Sequence, residues 1–335
     1  MKLGVVGTGT IVQEVLPFLS GWDWQVSALC GTPRSQAKVA DLCEQNQIPA
    51  GFTDYAEMLE KADMDAVYVA VPNSLHFSFV KQALEAGRGV IVEKPMTSHY
   101  GEARKLEALA KEKGLFLFEA ITTVYLPDYQ KTKEWLSRIG DVKIASCNYS
   151  QYSRRYDAFR NGEILPAFDP AKSGGALMDL NLYNLHYLIG LFGEPRKVRY
   201  AANMELGIDA SGVLTLDYGT FQAVSIAAKD CAAPSRCLIQ GTKGYIQMDT
   251  PANACREIKL HLNDGTEEIA SGNPENRMES EFRYFAAVMQ SGHYDECYQR
   301  LAHSVTVSKI QTEARLDAGI HFPADDANQC TDANQ

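Results

Sequence analysis

The feature that most constrains this chain is the rhythm of its first 120 residues. Short apolar runs, KLGVV, QVSALC, DAVYVAV, GVIVE and LFLFEA, follow one another with helical periodicity between most of them. Such a series reads as βαβ units, and hence as a parallel sheet covered by helices on both faces. Helices are expected at 54–62, 74–86 and 98–113, with Ser74 and Ser98 as N-caps and Gly87 closing the second. The first strand runs into Gly7-Thr8-Gly9 and a helix opening at Thr10 and Ile11. In such a turn the first glycine permits the tight bend and the second lets backbone approach a pyrophosphate at the helix N-terminus. A lone G-x-G also serves as a purely structural turn, but at the end of strand one in a βαβ series it points to dinucleotide binding. Val12 stands at the third position, where Gly or Ala usually allows close helix packing.

Discrimination between the two nicotinamide dinucleotides is read at the end of the second strand, where an acidic residue would hold the ribose 2′-hydroxyl of NAD. Here the stretch is CGTPRSQAK, with Thr32, Arg34 and Ser35 and no carboxylate. Guanidinium and hydroxyl groups suit a 2′-phosphate, so NADP is the preferred cofactor and NAD the alternative, with Arg34 then a solvated helix-start residue.

Past residue 122 the pattern changes. A helix around 128–138 leads to KIASCNYSQYS, then to a long aromatic and basic segment, and then to GGALMDLNLYNLHYLIGLFGEP, which reads as an apolar helix. KVRYAAN, SGVLTLDY, TFQAVSIAA, RCLIQG, GYIQMD and EIKLHL follow as strands with short turns, the mark of a mainly antiparallel sheet. Helices return at 276–291 and 296–314. The expected architecture is an N-terminal Rossmann-type doubly wound parallel sheet over 1–122 and an α/β domain with a large open sheet over 123–322. Residues 323–335, ending in the repeated DANQ, are expected to be a flexible tail.

With 335 residues the chain is long enough for two cores. A formal net charge of −10 without clustered Lys or Arg argues against a nucleic-acid partner. No apolar run approaches membrane-spanning length, and the N-terminus shows no signal peptide, so a cytoplasmic location is expected. The eight cysteines form no C-x-x-C pair, which favours buried reduced thiols over disulfides or a metal site.

In an open α/β sheet the ligand lies beyond the carboxyl ends of the strands. Pro72, Asn73, His76, Glu93 and Lys94 are therefore expected to ring the nicotinamide, with His76 more readily a satisfied helix-start histidine than a catalyst. Downstream, Asp179, Tyr183 and His186 stand at i, i+4 and i+7, on one stripe of the apolar helix.

The G-x-G turn, VAVPNSLH, VIVEKPMT and the GGALMDLNLYNLHYLIGLFGEP helix, in this order and spacing, resemble the glucose-fructose oxidoreductase, inositol dehydrogenase and rhizopine-catabolism (Gfo/Idh/MocA) family over residues 1 to about 320. The resemblance implies nicotinamide-dependent oxidation or reduction of a sugar, polyol, diol or related carbonyl. It also implies a homo-oligomer, dimer or tetramer, formed through the C-terminal sheet. Lys94 matches the E-K-P lysine that binds the reacting oxygen, and Asp179 the aspartate opening the helix motif. The acid/base position is often histidine but here is Tyr183, as in the branch containing the dimeric dihydrodiol dehydrogenases. His186 falls where many members carry Asp.

The implied chemistry is coherent in itself. Hydride transfer at a carbon requires that its oxygen gain or lose a proton in the same event. A tyrosine hydroxyl ordinarily titrates near pH 10, and a neighbouring ammonium favours its phenolate. The expected site is thus Tyr183 as proton donor or acceptor, Lys94 as its electrostatic partner, and Asp179 orienting Lys94 or a substrate hydroxyl. His186, Arg155 and Tyr156 are expected near the substrate, with 151–172 as its mouth or, equally, a solvated loop. A dinucleotide-sensing regulatory protein of the same fold is the rival reading; a metal is not expected.

Overall fold

The computed structural model describes residues 1–326, and the chain divides into two compact units. Residues 1–120 and 281–305 form the first; residues 121–280 and 306–326 form the second.

The first unit is built on β1 (Lys2–Val6), β2 (Gln25–Cys30), β3 (Gly51–Phe52), β4 (Ala66–Val69), β5 (Gly89–Glu93) and β6 (Leu117–Ala120), all parallel, in the order β3-β2-β1-β4-β5-β6. Every residue of β4 and β6 is buried, as expected for strands covered on both faces. The crossovers carry α1 (Thr10–Leu19), α2 (Gln36–Gln45), α3 (Tyr55–Lys61), α4 (His76–Glu85) and α5 (Tyr100–Lys113). Two expected caps are corrected. A 3-10 turn at Asn73–Leu75 precedes α4, so Ser74 caps nothing, and α5 is capped by His99, whose Nδ1 accepts the Gly101 amide at 2.8 Å. Gly87 does end its helix, at φ 77°. Val12 is fully buried, so the larger side chain at the third position of the turn is accommodated in the core.

The second unit holds β7 (Val142–Ser150), β8 (Lys197–Glu205), β9 (Ile208–Asp217), β10 (Gln222–Ala228), β11 (Arg236–Gly241), β12 (Gly244–Met248), β13 (Ile258–Leu262) and β14 (Glu267–Ala270). Their order is β14-β13-β12-β11-β7-β10-β9-β8; β7 and β10 run parallel and all other neighbours antiparallel. Helices α6 (Pro127–Trp135), α7 (Tyr156–Arg160) and α8 (Leu182–Phe192) complete this part. Ala145, Cys147, Ile239, Ile246 and Leu260 share one core with Leu182, Leu185, Leu188 and Ile189 of α8. The alternation along each strand leaves the opposite face open, with Ile144, Val213, Tyr245 and Ile269 exposed on it.

Two late helices, α9 (Met278–Ser291) and α10 (Tyr294–Asp317), differ from their expected place in the second domain. Residues 281–305 pack in the first unit: Phe282 accepts a hydrogen bond on its carbonyl from Trp24 Nε1 at 2.9 Å, and Phe285 stacks on Phe118 at 4.8 Å. Helical periodicity shows that a face is apolar, not which sheet it covers. The expected tail is also partly ordered. Residues 323–326 form a helical turn in which Asp325 makes a bidentate pair with buried Arg315, at 2.7 and 2.6 Å. The rest of that segment, with Cys330, lies outside the described residues. The seven described cysteines are free, and Cys147 faces Cys237 across the β7–β11 ladder. No described helix is long and apolar enough to cross a membrane.

Candidate active site

In the first unit the strand order reverses between β1 and β4, and the ends of β1, β2, β4 and β5 carry the expected cofactor residues. Gly7 takes φ 121°, and a side chain there would drive into the Ala70 carbonyl, so the turn requires glycine. A Cβ on Gly9 would meet nothing within 4 Å. It would instead occupy the open space at the α1 N-terminus, the place a pyrophosphate takes. Thr8 and Ile11 are half-buried, and Gly9 and Thr10 exposed. The residues at the turn therefore fit a dinucleotide phosphate.

At the end of β2, Thr32 and Ser35 close a reciprocal capping box: the Thr32 amide donates to Ser35 Oγ at 2.8 Å, and that hydroxyl donates to the Thr32 carbonyl at 3.0 Å. Ser35 is thereby committed to the turn, while Arg34 points into solvent and makes no ion pair among the described residues. A guanidinium at this strand end, with no carboxylate beside it, suits a phosphate ester better than a vicinal diol.

The loop after β5 is pinned at three points. Tyr68 donates its hydroxyl to Glu93 Oε1 at 2.5 Å, the Pro95 carbonyl lies 2.8 Å from His76 Nδ1, and the Met96 amide donates to Glu119 Oε1 at 2.8 Å. Lys94, joined to Pro95 by a cis peptide bond, is half-buried between these anchors. His76 corrects the sequence expectation. It is 0% exposed and its Nε2 meets the Val71 carbonyl at 2.9 Å, so its polar atoms face backbone rather than a ring of nicotinamide. Burial pushes its imidazolium form down, against the pull of the two carbonyls. Its place is to brace the loop that carries Lys94, while Pro72 is exposed and Asn73 half-buried at the neighbouring strand end.

In the second unit the chain enters its central helix through Gly174-Gly175. A Cβ on Gly174 would lie 2.8 Å from the Pro166 carbonyl, and Gly175, at φ 103°, lies against the Asp209 carboxyl. Leu177–Asn181 then form one π-helical turn before α8. Such turns add a residue to the helix and are frequent at functional sites. Asp179 sits in the π turn with a half-exposed side chain, and Tyr183, 6% exposed, begins the next turn with its ring 6.2 Å from that of Tyr149.

The stripe expected through Asp179, Tyr183 and His186 ends early. His186 is 0% exposed, because eight of the eleven residues of α8 are buried and the helix has no wet face at that level. The structure thus removes His186 from the substrate surface. Tyr156 is likewise committed: its hydroxyl donates to Glu205 Oε2 at 2.7 Å, which pushes the phenol up to about 12. Its ring joins Phe159 and Phe168 in an aromatic wall, and Arg155 beside it is exposed.

Several residues escaped sequence reading. Asn181 and Asn184 are fully buried and tie the helix to β10, through the Ser225 hydroxyl and, at 3.0 Å, the Ile226 carbonyl. Lys229 is the larger omission. Its ammonium donates to Asp179 Oδ2 at 2.9 Å, so the carboxylate is held by a lysine of its own unit. The signal was present as a lone lysine directly after the apolar AVSIAA run.

Two family models match the chain: the NAD-binding Rossmann-fold domain of the oxidoreductase family GFO_IDH_MocA over residues 1–121, and the GFO/IDH/MocA C-terminal domain over residues 129–247. Scyllo-inositol 2-dehydrogenase (NADP(+)) IolU of Bacillus subtilis (strain 168) is 33% identical over 98% of this chain and 100% of its own. Trans-1,2-dihydrobenzene-1,2-diol dehydrogenase of Sus scrofa is 26% identical over 97% and 99%. The solved structure of levoglucosan dehydrogenase in complex with NADH and levoglucosan shares the fold, with a TM-score of 0.83 at 16% identity over 95% and 97% of the two chains. A pyrophosphate-ready turn, a parallel sheet with its reversal at that turn, and full-length similarity to dehydrogenases meet in one conclusion: the chain is an NAD(P)-binding oxidoreductase and belongs to the GFO/IDH/MocA family.

Proposed function

We propose that the protein is an NADP-preferring dehydrogenase that interconverts a secondary hydroxyl and a carbonyl on a cyclic polyol, sugar or diol. Bound nicotinamide supplies the hydride acceptor or donor. Tyr183 takes the proton from the substrate hydroxyl in oxidation and returns it in reduction. Lys94 stabilises negative charge on the same oxygen, and Asp179 accepts a further substrate hydroxyl. The observation that carries this reading is the loop after β5: it is tied down through the Glu93 carboxylate, the Pro95 carbonyl and the Met96 amide, so Lys94 is held as a preorganised cation rather than a surface lysine. Exposed Arg34 and Thr32 at the end of β2 support a 2′-phosphate. The names of the relatives, an inositol dehydrogenase and a dihydrodiol dehydrogenase, support the substrate class. Pairing of two copies through the open face of the eight-stranded sheet completes the proposal.

The test is a screen of purified protein for NADPH and NADH turnover against inositols, aldoses, levoglucosan, trans-dihydrodiols and their carbonyl counterparts. Turnover of at least one vicinal polyol with NADP favoured over NAD is expected. NADPH binding without turnover on any compound would favour the regulatory reading instead.

A further inference from the structure

Lys229 is a lysine where a protein core has little use for one. It follows β10 directly and is 2% exposed. Its ammonium is met from three sides: the Ala167 carbonyl accepts at 2.6 Å, Asp179 Oδ2 accepts at 2.9 Å, and the Phe168 ring centroid lies 4.4 Å away. Its backbone is fixed as well, the amide donating to the Ala210 carbonyl and the carbonyl accepting from Ser153, both at 2.8 Å. Burying an ammonium costs several kcal/mol unless close partners offset the loss of water. Here the partners come from two separate segments, the Pro166–Phe168 turn and the π turn before the central helix.

The pair is asymmetric. The Lys229 side chain is 3% exposed and that of Asp179 31%, so the cation is sealed while the carboxylate straddles the surface. A sealed cation cannot meet a substrate directly, whereas the carboxylate it holds is accessible from the surface. Asp179 lies in the π turn that runs directly into the first turn of α8, which carries Tyr183. Two oxygen-bearing side chains on consecutive turns of one helix suit two hydroxyls of one small substrate.

We infer that Lys229 is a positioning residue: it fixes Asp179 to accept the hydroxyl vicinal to the reacting one, and fixes the 166–168 turn as the wall beside it. The substrate class this selects is a vicinal polyol, in which the second hydroxyl is required for tight binding. The inference rests on the proposed roles of Tyr183 and Asp179.

The test uses scyllo-inositol oxidation with NADP by wild type, Lys229→Met, Lys229→Gln, Asp179→Asn and the Asp179→Asn/Lys229→Met double variant, with NADPH affinity measured for each. A contact made equally in the ground and transition states appears in KM, so Lys229→Met raises KM about tenfold or more with kcat within about threefold. Asp179→Asn reproduces that split, and the double variant is no worse than the worse single one, because both remove the same contact. Lys229→Gln, which keeps an N–H donor, recovers part of the KM and serves if the methionine variant fails to fold. An unchanged KM in both Lys229 variants, or multiplicative losses in the double variant, would overturn the inference. A second readout is independent of turnover: hydrogen exchange across 163–181 accelerates in the Lys229 variants while peptides from 1–120 are unchanged. Unchanged exchange across 163–181 overturns the anchoring role even if scyllo-inositol is not a substrate, whereas wild-type turnover in Tyr183→Phe overturns only the reading beneath it.

Discussion

Asp209 lies under the Gly174-Gly175 turn and places two hydrogen bonds on one oxygen, from the Leu177 amide and the Tyr200 hydroxyl, each 2.7 Å. Burial lifts its carboxyl to about 6, against the pull of those donors and of Lys229. A carboxyl raised on folding holds its proton longer in the native state. Its contribution to stability is therefore full below the unfolded value near 4 and is lost as pH rises through about 6, on the order of 3 kcal/mol in all. Asp209→Asn cannot titrate, so thermal unfolding of wild type relative to this variant should weaken between pH 4 and 7; a pH-independent difference would refute the assignment. At the same scale, Arg34→Ala should weaken NADPH about tenfold, the value of one charge-assisted contact, and NADH much less; equal losses would point away from a 2′-phosphate site. Motif spacing is what singles out Lys94, Asp179 and Tyr183 as candidates in the sequence. Lys229 and Asp209 were not legible there, because their meaning depends on which strand end lies beneath the helix, and that register is a tertiary fact.

At the level of elements, the parallel strands announced themselves as apolar runs alternating with helical segments, and the antiparallel ones as successive strand-like runs joined by short turns. β3 is only two residues long, and β14 (EEIA), with no buried residue, lacks an apolar run. The π turn at Leu177–Asn181 was invisible for a different reason: i and i+4 share a face in an α-helix, and one inserted residue changes the phase without changing the composition. Where the stripe stops, His186 goes into the core. The last helix shows how an element end can be secured by one pair. Arg315, 1% exposed, is held by Asp325 and by the Ile320 carbonyl at 2.7 Å, its guanidinium 4.2 Å from the Phe322 ring centroid. Asp325→Ala strands that cation in the interior and should cost roughly 3–5 kcal/mol in denaturant unfolding. A loss under 1 kcal/mol would show that the pair is peripheral.

On the scale of the whole molecule, the two-part organisation was readable from the change of rhythm near residue 122, while the return of 281–305 to the first unit was not. Tyr245 and Ile144 stand in register across β11 on the open face of the large sheet, both through Gln240. If two copies pair there, replacing both with lysine should reduce the sedimenting mass to the 37.0 kDa chain; an unchanged mass would place the interface elsewhere. The proposed reaction assigns proton transfer to Tyr183 and charge stabilisation on the same oxygen to Lys94. Its most direct measurement is the NADP-linked turnover of the best polyol from the screen by Tyr183→Phe and Lys94→Ala, with NADPH affinity recorded alongside. The expected result is a fall in kcat/KM of about 10²-fold or more in each, with NADPH bound within a few-fold of wild type by Tyr183→Phe. Near-wild-type turnover in either variant would contradict the account.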